Sequence, residues 1–392
     1  MTEALMPTYG DRTMTFVRGE GAYLFDATGR RFLDFGGGIA VTSIGHSHPT
    51  MVKALQEQAA KVLHTSNLYL IPGQIKAAER LCANSFADVV FFGNSGAEAN
   101  EGLIKLVRKY HAHHGHPERY RIITVEGAFH GRTLATIAAG GSKKHLEGFG
   151  PPVEGFDQVP FGNMNALRDA ITKETAGVLI EPIQGEGGIR PMDLEYLRQV
   201  RKACDEFGIL MALDEVQSGI GRTGKLFAYQ WAGIEPDVLA AAKGLGGGVP
   251  VGAVLATKEA AIGMVAGTHG STFGGNPLST AAVNAVLDVV LADGFMDHVQ
   301  EVAADLRKKA EALCAKHPGV LKSVRGAGLM LGFVAGPPNG TVVAAAAENG
   351  LLLVPAGDNV VRMLPPLTIG TAEVDEAIAI LDKTASALAS SS

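Results

Sequence analysis

The sequence predicts an α/β protein built around a mostly parallel sheet, with a smaller α+β unit beside it. From about residue 50, strand-like apolar runs alternate with helical patterns, and several of those runs end in glycine or polar residues. Such alternation implies a sheet with helices packed on its faces. Fifty glycines in 392 residues far exceed the roughly 7% average, as many tight turns and close backbone approaches require.

Taken in order, "GAYLFDATGRRFLDF" reads as a hairpin, two apolar-aromatic runs around a turn at Asp26 to Gly29. "DVVFFGNSG" is a strand that leads into the helical "AEANEGLIKLVRKYH". "RIITVEGAFHG", "AGVLIEPIQGEGG" and "GILMALDEVQSG" are buried strands ending in turn residues. Between the last two, Leu194, Leu197, Val200, Cys204 and Phe207 keep the three-or-four spacing of a helix. From about residue 290 a long helical stretch precedes the short strands "GLMLGFVA", "LLLVPAG" and "NVVRMLPP". The expected division is a large domain over 50–288, with a small domain built from 1–49 and 289–392.

The composition narrows the function. A 46% hydrophobic, 19% charged chain is a compact globule, and a net charge of −6 argues against a nucleic-acid surface. Cys82, Cys204 and Cys314 are odd in number and form no CxxC pair, which fits reduced thiols in a cytoplasmic protein better than disulfides or zinc. "MTEALMPTYGDR" lacks the basic and apolar regions of a signal peptide, and no run of 18 apolar residues suggests a membrane span. His111, His113, His114 and His116 in "HAHHGHPE" read as a solvated helix end, not a metal site, because pairing on one helix face is not sustained past Gly115.

Two glycine-rich motifs are decoys. "GIGRTGK" has P-loop spacing, but Leu226 stands where a magnesium-holding hydroxyl is needed, and the acidic strand precedes it directly. "GLGGGVPVG" does not keep GxGxxG spacing into a helix.

Lys243 is the informative residue. It is the only charge between Asp237 and Lys258, in a small and apolar run with glycine crowding the side after it. A buried lysine is costly unless paired or neutralised. Desolvation favours the neutral amine, which forms Schiff bases with aldehydes. Asp214 ends the apolar strand "ILMALDEVQ", where α/β ligands bind, although an aspartate there also serves as a cap or turn residue. A carboxylate holding a protonated pyridine nitrogen beside such a lysine is the chemistry of pyridoxal phosphate. "NSGAEANE" places Gly96 and Ala97 at a strand-to-helix junction suited to a phosphate. "HGSTFGGNP" offers the hydroxyls of Ser271 and Thr272, and Phe129 in "GAFHGRT" is an aromatic cover for a ring.

The order "FFGNSGAEANE", "FHGRT", "EPIQGEGG", "LDEVQSGIGRTGK", "PDVLAAAKGLGGGVPVGA" and "STFGGNP" resembles the class III, ornithine-type aminotransferases of the fold type I pyridoxal phosphate enzymes. The likeness runs from the N-terminal hairpin to "RMLPPL", almost the whole chain. "HTSNLYLIPGQ" and the short lead before the hairpin are similar to the members that act on N2-acetyl-L-ornithine. The resemblance implies ping-pong transfer of its terminal amino group to 2-oxoglutarate, with ornithine, acetyl-lysine and succinyl-diaminopimelate as rival donors. It implies that Lys243 is the Schiff-base lysine and Asp214 the partner of the pyridine nitrogen. Gln217 donates to the ring hydroxyl, Val216 packs under the ring and Phe129 over it, and Glu215 belongs to the same cofactor-binding stretch. Gly96 and Ala97 take the phosphate through backbone N–H groups, and Thr272 reaches the phosphate of a neighbouring subunit, so a homodimer with shared sites is expected. Arg132 and Ser271 contact substrate, Arg362 clamps the α-carboxylate of 2-oxoglutarate, and Glu186 masks Arg362 in the first half-reaction.

Overall fold

The computed structural model describes residues 4–10 and 13–390. Its centre is a seven-stranded sheet. In spatial order the strands are Val89–Gly93, Gly252–Ala256, Val238–Ala241, Leu210–Asp214, Thr175–Ile180, Arg121–Val125 and Phe156–Val159. Pairing is parallel from Val238–Ala241 through to Phe156–Val159, whereas Gly252–Ala256 runs antiparallel to both its neighbours. The α/β sheet expected from the alternation is therefore present, with one reversed strand. Every residue of Thr175–Ile180, Leu210–Asp214, Val238–Ala241 and Gly252–Ala256 is buried. That is why these segments read as unbroken apolar runs: both faces are covered by helices.

The helices begin where the chain supplies caps. Ser95 Oγ accepts the Glu98 N–H at 3.1 Å and starts Gly96–His113, which buries Leu103, Ile104, Leu106 and Val107. Asp193 accepts the Glu195 and Tyr196 N–H groups at 2.7 and 3.2 Å, and Gly208 in the left-handed conformation (φ 61°) ends Leu194–Phe207. The predicted hairpin is Tyr23–Asp26 against Arg31–Asp34, its turn closed by Asp26 Oδ1 accepting the Thr28 and Arg30 N–H groups.

The two ends of the chain meet. Leu351–Leu352 adds in parallel to Arg31–Asp34, and a second sheet joins Leu321–Ala327, Met330–Ala335, Val360–Met363 and Val354–Ala356. The helical run before these strands starts earlier than about 290: Pro277–Val290 precedes Phe295–Lys316. Among the described residues no single helix is long and apolar enough to cross a membrane.

The stretch that mimics a P-loop is a strap. Arg222 is buried and donates to the carbonyls of Leu329 and Pro365, tying the sheet domain to the C-terminal strands. The histidine cluster differs in part from expectation. His111 is buried, its Nε2 2.7 Å from the Ala176 carbonyl, because it lies on the packed face of Gly96–His113. His113, His114 and His116 are exposed.

Candidate active site

Five strand ends converge on one hollow. The turns after Val89–Gly93, Arg121–Val125, Thr175–Ile180, Leu210–Asp214 and Val238–Ala241 supply Gly96, Phe129, Glu181, Asp214 and Lys243. Together with Ala97, Asn100, His130, Gly131, Arg132, Val216 and Gln217 they line a cavity of about 250 Å³. A hollow of about 960 Å³ beside Arg201 and Asp237 is larger. It is open, however, and its arginine is already ion-paired with Asp205 and Asp237.

Lys243 opens a one-turn 3₁₀ segment directly after Val238–Ala241. Its φ is +47°, a left-handed conformation that costs a non-glycine residue on the order of 1 kcal/mol. The surrounding chain holds it there: Ser43 Oγ donates to the Gly244 carbonyl at 2.7 Å, and Gly246 N–H closes the turn on the Lys243 carbonyl. Among the described residues the Lys243 amine has no hydrogen-bond or ion-pair partner. Burial lowers its pKa, the carboxylates of Glu186, Asp214 and Glu181 raise it, Arg362 lowers it, and the net direction is down. Lys243 is thus prepared to be a neutral amine.

Asp214 is held on both oxygens. Oδ2 accepts from Asn100 Nδ2 and lies against His130 Nδ1, each at 2.8 Å, and Oδ1 accepts the Val216 N–H at 3.0 Å. Burial alone would lower the pKa of His130, but the hydrogen bond and charge of Asp214 outweigh it and raise it. Glu181 is buried in the same cavity and accepts the Phe129 and Gly185 N–H groups at 2.8 and 3.2 Å. Desolvation first, and then the nearby Asp214 charge, push its pKa up to about 7. Among the described residues that line the cavity, Asn100 Oδ1 and His130 Nε2 are buried without a partner.

Arg362 sits on the strand Val360–Met363 and is almost fully buried. Its Nη1 and Nη2 donate to the two oxygens of Glu186 at 2.7 and 3.1 Å; Nη1 also donates to Gln217 Oε1 at 3.2 Å, and Nη2 to the Pro355 carbonyl at 3.0 Å. With its Oε1 engaged, Gln217 keeps its amide N–H₂ for a ligand. Among the described residues no carboxylate pairs with Arg132, whose guanidinium lies 5.5 Å from the centre of the Phe129 ring.

Of the expected residues outside the lining, Arg362 and its partner Glu186 adjoin it through Gln217, whereas Glu215, Ser271 and Thr272 lie elsewhere in this chain. The Glu215 carboxylate turns away from the cavity and accepts from Ala228 N–H, Tyr229 N–H (2.8 Å) and Ser218 Oγ (3.1 Å), because neighbouring residues at a strand end face opposite sides. Ser271 does not line the cavity; its Oγ accepts from Asn94 Nδ2 at 3.1 Å and Gly274 N–H at 3.0 Å. Thr272 is exposed and outside it too. Conversely, Asn100, His130 and Glu181 were not anticipated. Glu181 follows a strand as Asp214 ends one, so the same strand-end rule applied to "LIEP" would have found it. Asn100 is polar on a helix face that packs inward, a pattern read as surface without the fold.

These residues fit pyridoxal 5′-phosphate. Gly96 leaves room where a Cβ would come within 2.7 Å of Val216, so the N-terminus of Gly96–His113 can approach an anion closely. Val216 and Phe129 are the apolar lining, Asp214 offers a carboxylate of the kind that would hold a protonated ring nitrogen, and Lys243 offers an amine. Fold and site together define a pyridoxal phosphate-dependent transferase of fold type I.

The comparisons with known proteins place it within that class. The family model "Aminotransferase class-III" matches residues 6–385. The acetylornithine aminotransferase of Mesorhizobium japonicum is 59% identical over 375 residues, 96% of this chain and 94% of that protein. Among solved structures, the ornithine aminotransferase of Toxoplasma gondii superposes with a TM-score of 0.94 at 29% identity, covering 98% of this chain and 93% of that one. The N-acetylornithine aminotransferase of Stenotrophomonas maltophilia superposes at 0.86 with 37% identity, covering 98% and 99%. The chain belongs to the class-III aminotransferases and is a pyridoxal phosphate-dependent transaminase.

Proposed function

We propose that the chain transfers the terminal amino group of N2-acetyl-L-ornithine to 2-oxoglutarate, giving N-acetyl-L-glutamate 5-semialdehyde and L-glutamate, as a cytoplasmic homodimer in arginine biosynthesis. The relatives named above carry the donor assignment. The observation that carries the reaction is the pair of unequal arginines. Arg132 has no carboxylate, whereas Arg362 is held by Glu186 at 2.7 and 3.1 Å. The donor has its reacting amine remote from its only carboxylate, and the acceptor carries a carboxylate at each end. Arg132 suits the first. A permanently open Arg362 would bind an α-carboxylate and bring the wrong amine to the reacting position, and Glu186 prevents this until the diacid arrives.

Bound in the cavity, pyridoxal 5′-phosphate supplies an aldehyde that condenses with amines and a ring that accepts the electron pair of a broken C–H bond. The residues do the rest. Gly96 and Ala97 N–H groups would bind the phosphate, Val216 and Phe129 would hold the ring between them, and Gln217 would donate to its hydroxyl. Asp214 would keep the proton on the ring nitrogen. Lys243, as a neutral amine, would take a proton from the donor carbon as general base and give it back as general acid.

Residues 50–288 form the catalytic domain in this reading, and 1–49 with 289–392 the smaller one that carries Arg362. The homodimer is supported by an apolar surface. Leu68, Tyr69, Leu70 and Phe273 are 85%, 69%, 86% and 59% exposed, and Asn67 Nδ2 ties their two segments by donating to the Ser271 and Gly274 carbonyls at 3.2 and 2.9 Å.

The test is kcat/KM across N2-acetyl-L-ornithine, L-ornithine, N-acetyl-L-lysine and succinyl-diaminopimelate with 2-oxoglutarate. The acetylated ornithine is expected to lead, and preference for another donor overturns the assignment. Borohydride reduction followed by peptide mapping is expected to label Lys243; a label on another lysine overturns the site.

A further inference from the structure

Beside the cofactor cavity lies a second cleft, of about 450 Å³, lined by Glu126, Phe129, Ser142, His145, Gln158 and Glu186 with the backbone of neighbouring glycines. It touches the active site twice. Phe129 lines both hollows, and Glu186 reaches from the cleft to Arg362. The His145 ring stands edge-on to Phe129, centroids 5.9 Å apart at 84°. Arg132 lies on Phe129 as well, so Arg132 and His145 flank one aromatic ring.

A donor whose carboxylate sits on Arg132 has its α-carbon, and hence its acylamino group, next to this cleft. The lining matches an amide. Among the described residues neither the His145 ring nitrogens nor Ser142 Oγ has a hydrogen-bond partner. Burial, followed by the charges of Arg132 and Lys144, lowers the pKa of His145 against the pull of Glu186, which favours the neutral ring. A neutral imidazole has one donor and one acceptor, the complement of an amide C=O and N–H. Of the two carboxylates in the lining, Glu126 is exposed and Glu186 is paired with Arg362.

We propose that the cleft between Phe129, Ser142, His145 and Glu186 receives the N-acyl end of the amino donor, and that His145 is the specificity-determining residue. This rests on the donor reading given above, and the experiment separates the two. On the holoenzyme, kcat/KM is measured for N2-acetyl-L-ornithine and L-ornithine, in wild type, His145→Phe and His145→Gln. Binding of N-acetyl-L-norvaline, which lacks the reacting amine, and of pentanoate, which also lacks the acylamino group, is followed by calorimetry.

His145→Phe is expected to lower kcat/KM for the acetylated donor and the affinity for N-acetyl-L-norvaline about tenfold, the worth of one hydrogen bond. L-Ornithine and pentanoate are expected to change less than about twofold, and His145→Gln, which keeps an N–H donor, to recover most of the loss. Equal effects on acylated and unacylated ligands would overturn the role of His145. Absence of wild-type turnover with N2-acetyl-L-ornithine would instead remove the donor reading, and the inference with it.

Discussion

Asp214 is fixed before any ligand arrives. Three donors, Asn100 Nδ2, His130 Nδ1 and Val216 N–H, hold its two oxygens. An amide in its place keeps the shape and loses the charge that would hold a proton on the ring nitrogen. Asp214→Asn is therefore expected to reduce kcat/KM on the order of 10³-fold or more. Near-normal kinetics would reduce Asp214 to a strand-end cap. Lys243 allows a prediction about stability. Its pKa in the fold lies below the ordinary 10.5, so the apoprotein folds at a penalty for carrying the charged amine. That penalty is full below the folded pKa and vanishes as pH rises past the unfolded value. Lys243→Met apoprotein is expected to melt higher than wild-type apoprotein at pH 7, with the difference shrinking as pH approaches 10.5. A difference that grows with pH would contradict the desolvated amine.

At the scale of elements, the telling feature is the turn that follows Thr175–Ile180. Its short ladder, Ile183–Gln184 against Arg190–Pro191, projects Glu186 toward the strand Val360–Met363, and Gly357 N–H anchors the Glu186 carbonyl at 2.8 Å. The two side chains of the resulting pair differ in exposure, 1% for Arg362 and 34% for Glu186. The arginine is enclosed and the glutamate is the more accessible partner. Removing it should leave Arg362 open to any α-carboxylate. Glu186→Ala is expected to lower KM for L-glutamate about tenfold, since the incoming carboxylate no longer displaces a bidentate partner. Glu186→Gln, which keeps one acceptor for Arg362, guards against a folding defect. An unchanged KM in both variants would mean that the pair is structural. The strands and helices that build this arrangement were legible, because buried runs and capped amphipathic helices have strong local signals. The turn was legible only as a motif; that Glu186 meets a residue 176 positions away is not a local property.

For the whole molecule, the issue is whether one chain makes a complete site. Thr272 and Ser271 lie outside the cavity of their own chain, on a loop whose neighbour Phe273 is exposed against the His64 ring at 5.1 Å. If that loop completes the cavity of a second copy across a two-fold axis, each site draws on both chains. Lys243→Ala and Thr272→Tyr, each inactive alone, make the test. A mixed dimer then has one site with both lesions and one with neither, and subunit exchange is expected to restore a fraction of the wild-type activity. Continued inactivity despite proven exchange would assign each site to a single chain.

By itself the sequence determined the α/β class and, through the order of its motifs along the chain, the family, and it singled out Lys243 and Asp214 as candidates. The class and the two candidates follow from local periodicity, strand-end position and an isolated charge in an apolar run, all properties of neighbouring residues. Only the tertiary structure decided that Glu181, His130 and Asn100 join them, that the Glu215 carboxylate turns away, and that His111 is a packed residue and not part of a solvated helix end. It also decided that Arg362 is closed by Glu186 while Arg132 stands open. The reason is the same in each case: whether a polar side chain has a partner depends on segments far apart in the chain, and burial, which sets both pKa and availability, exists only once those segments pack.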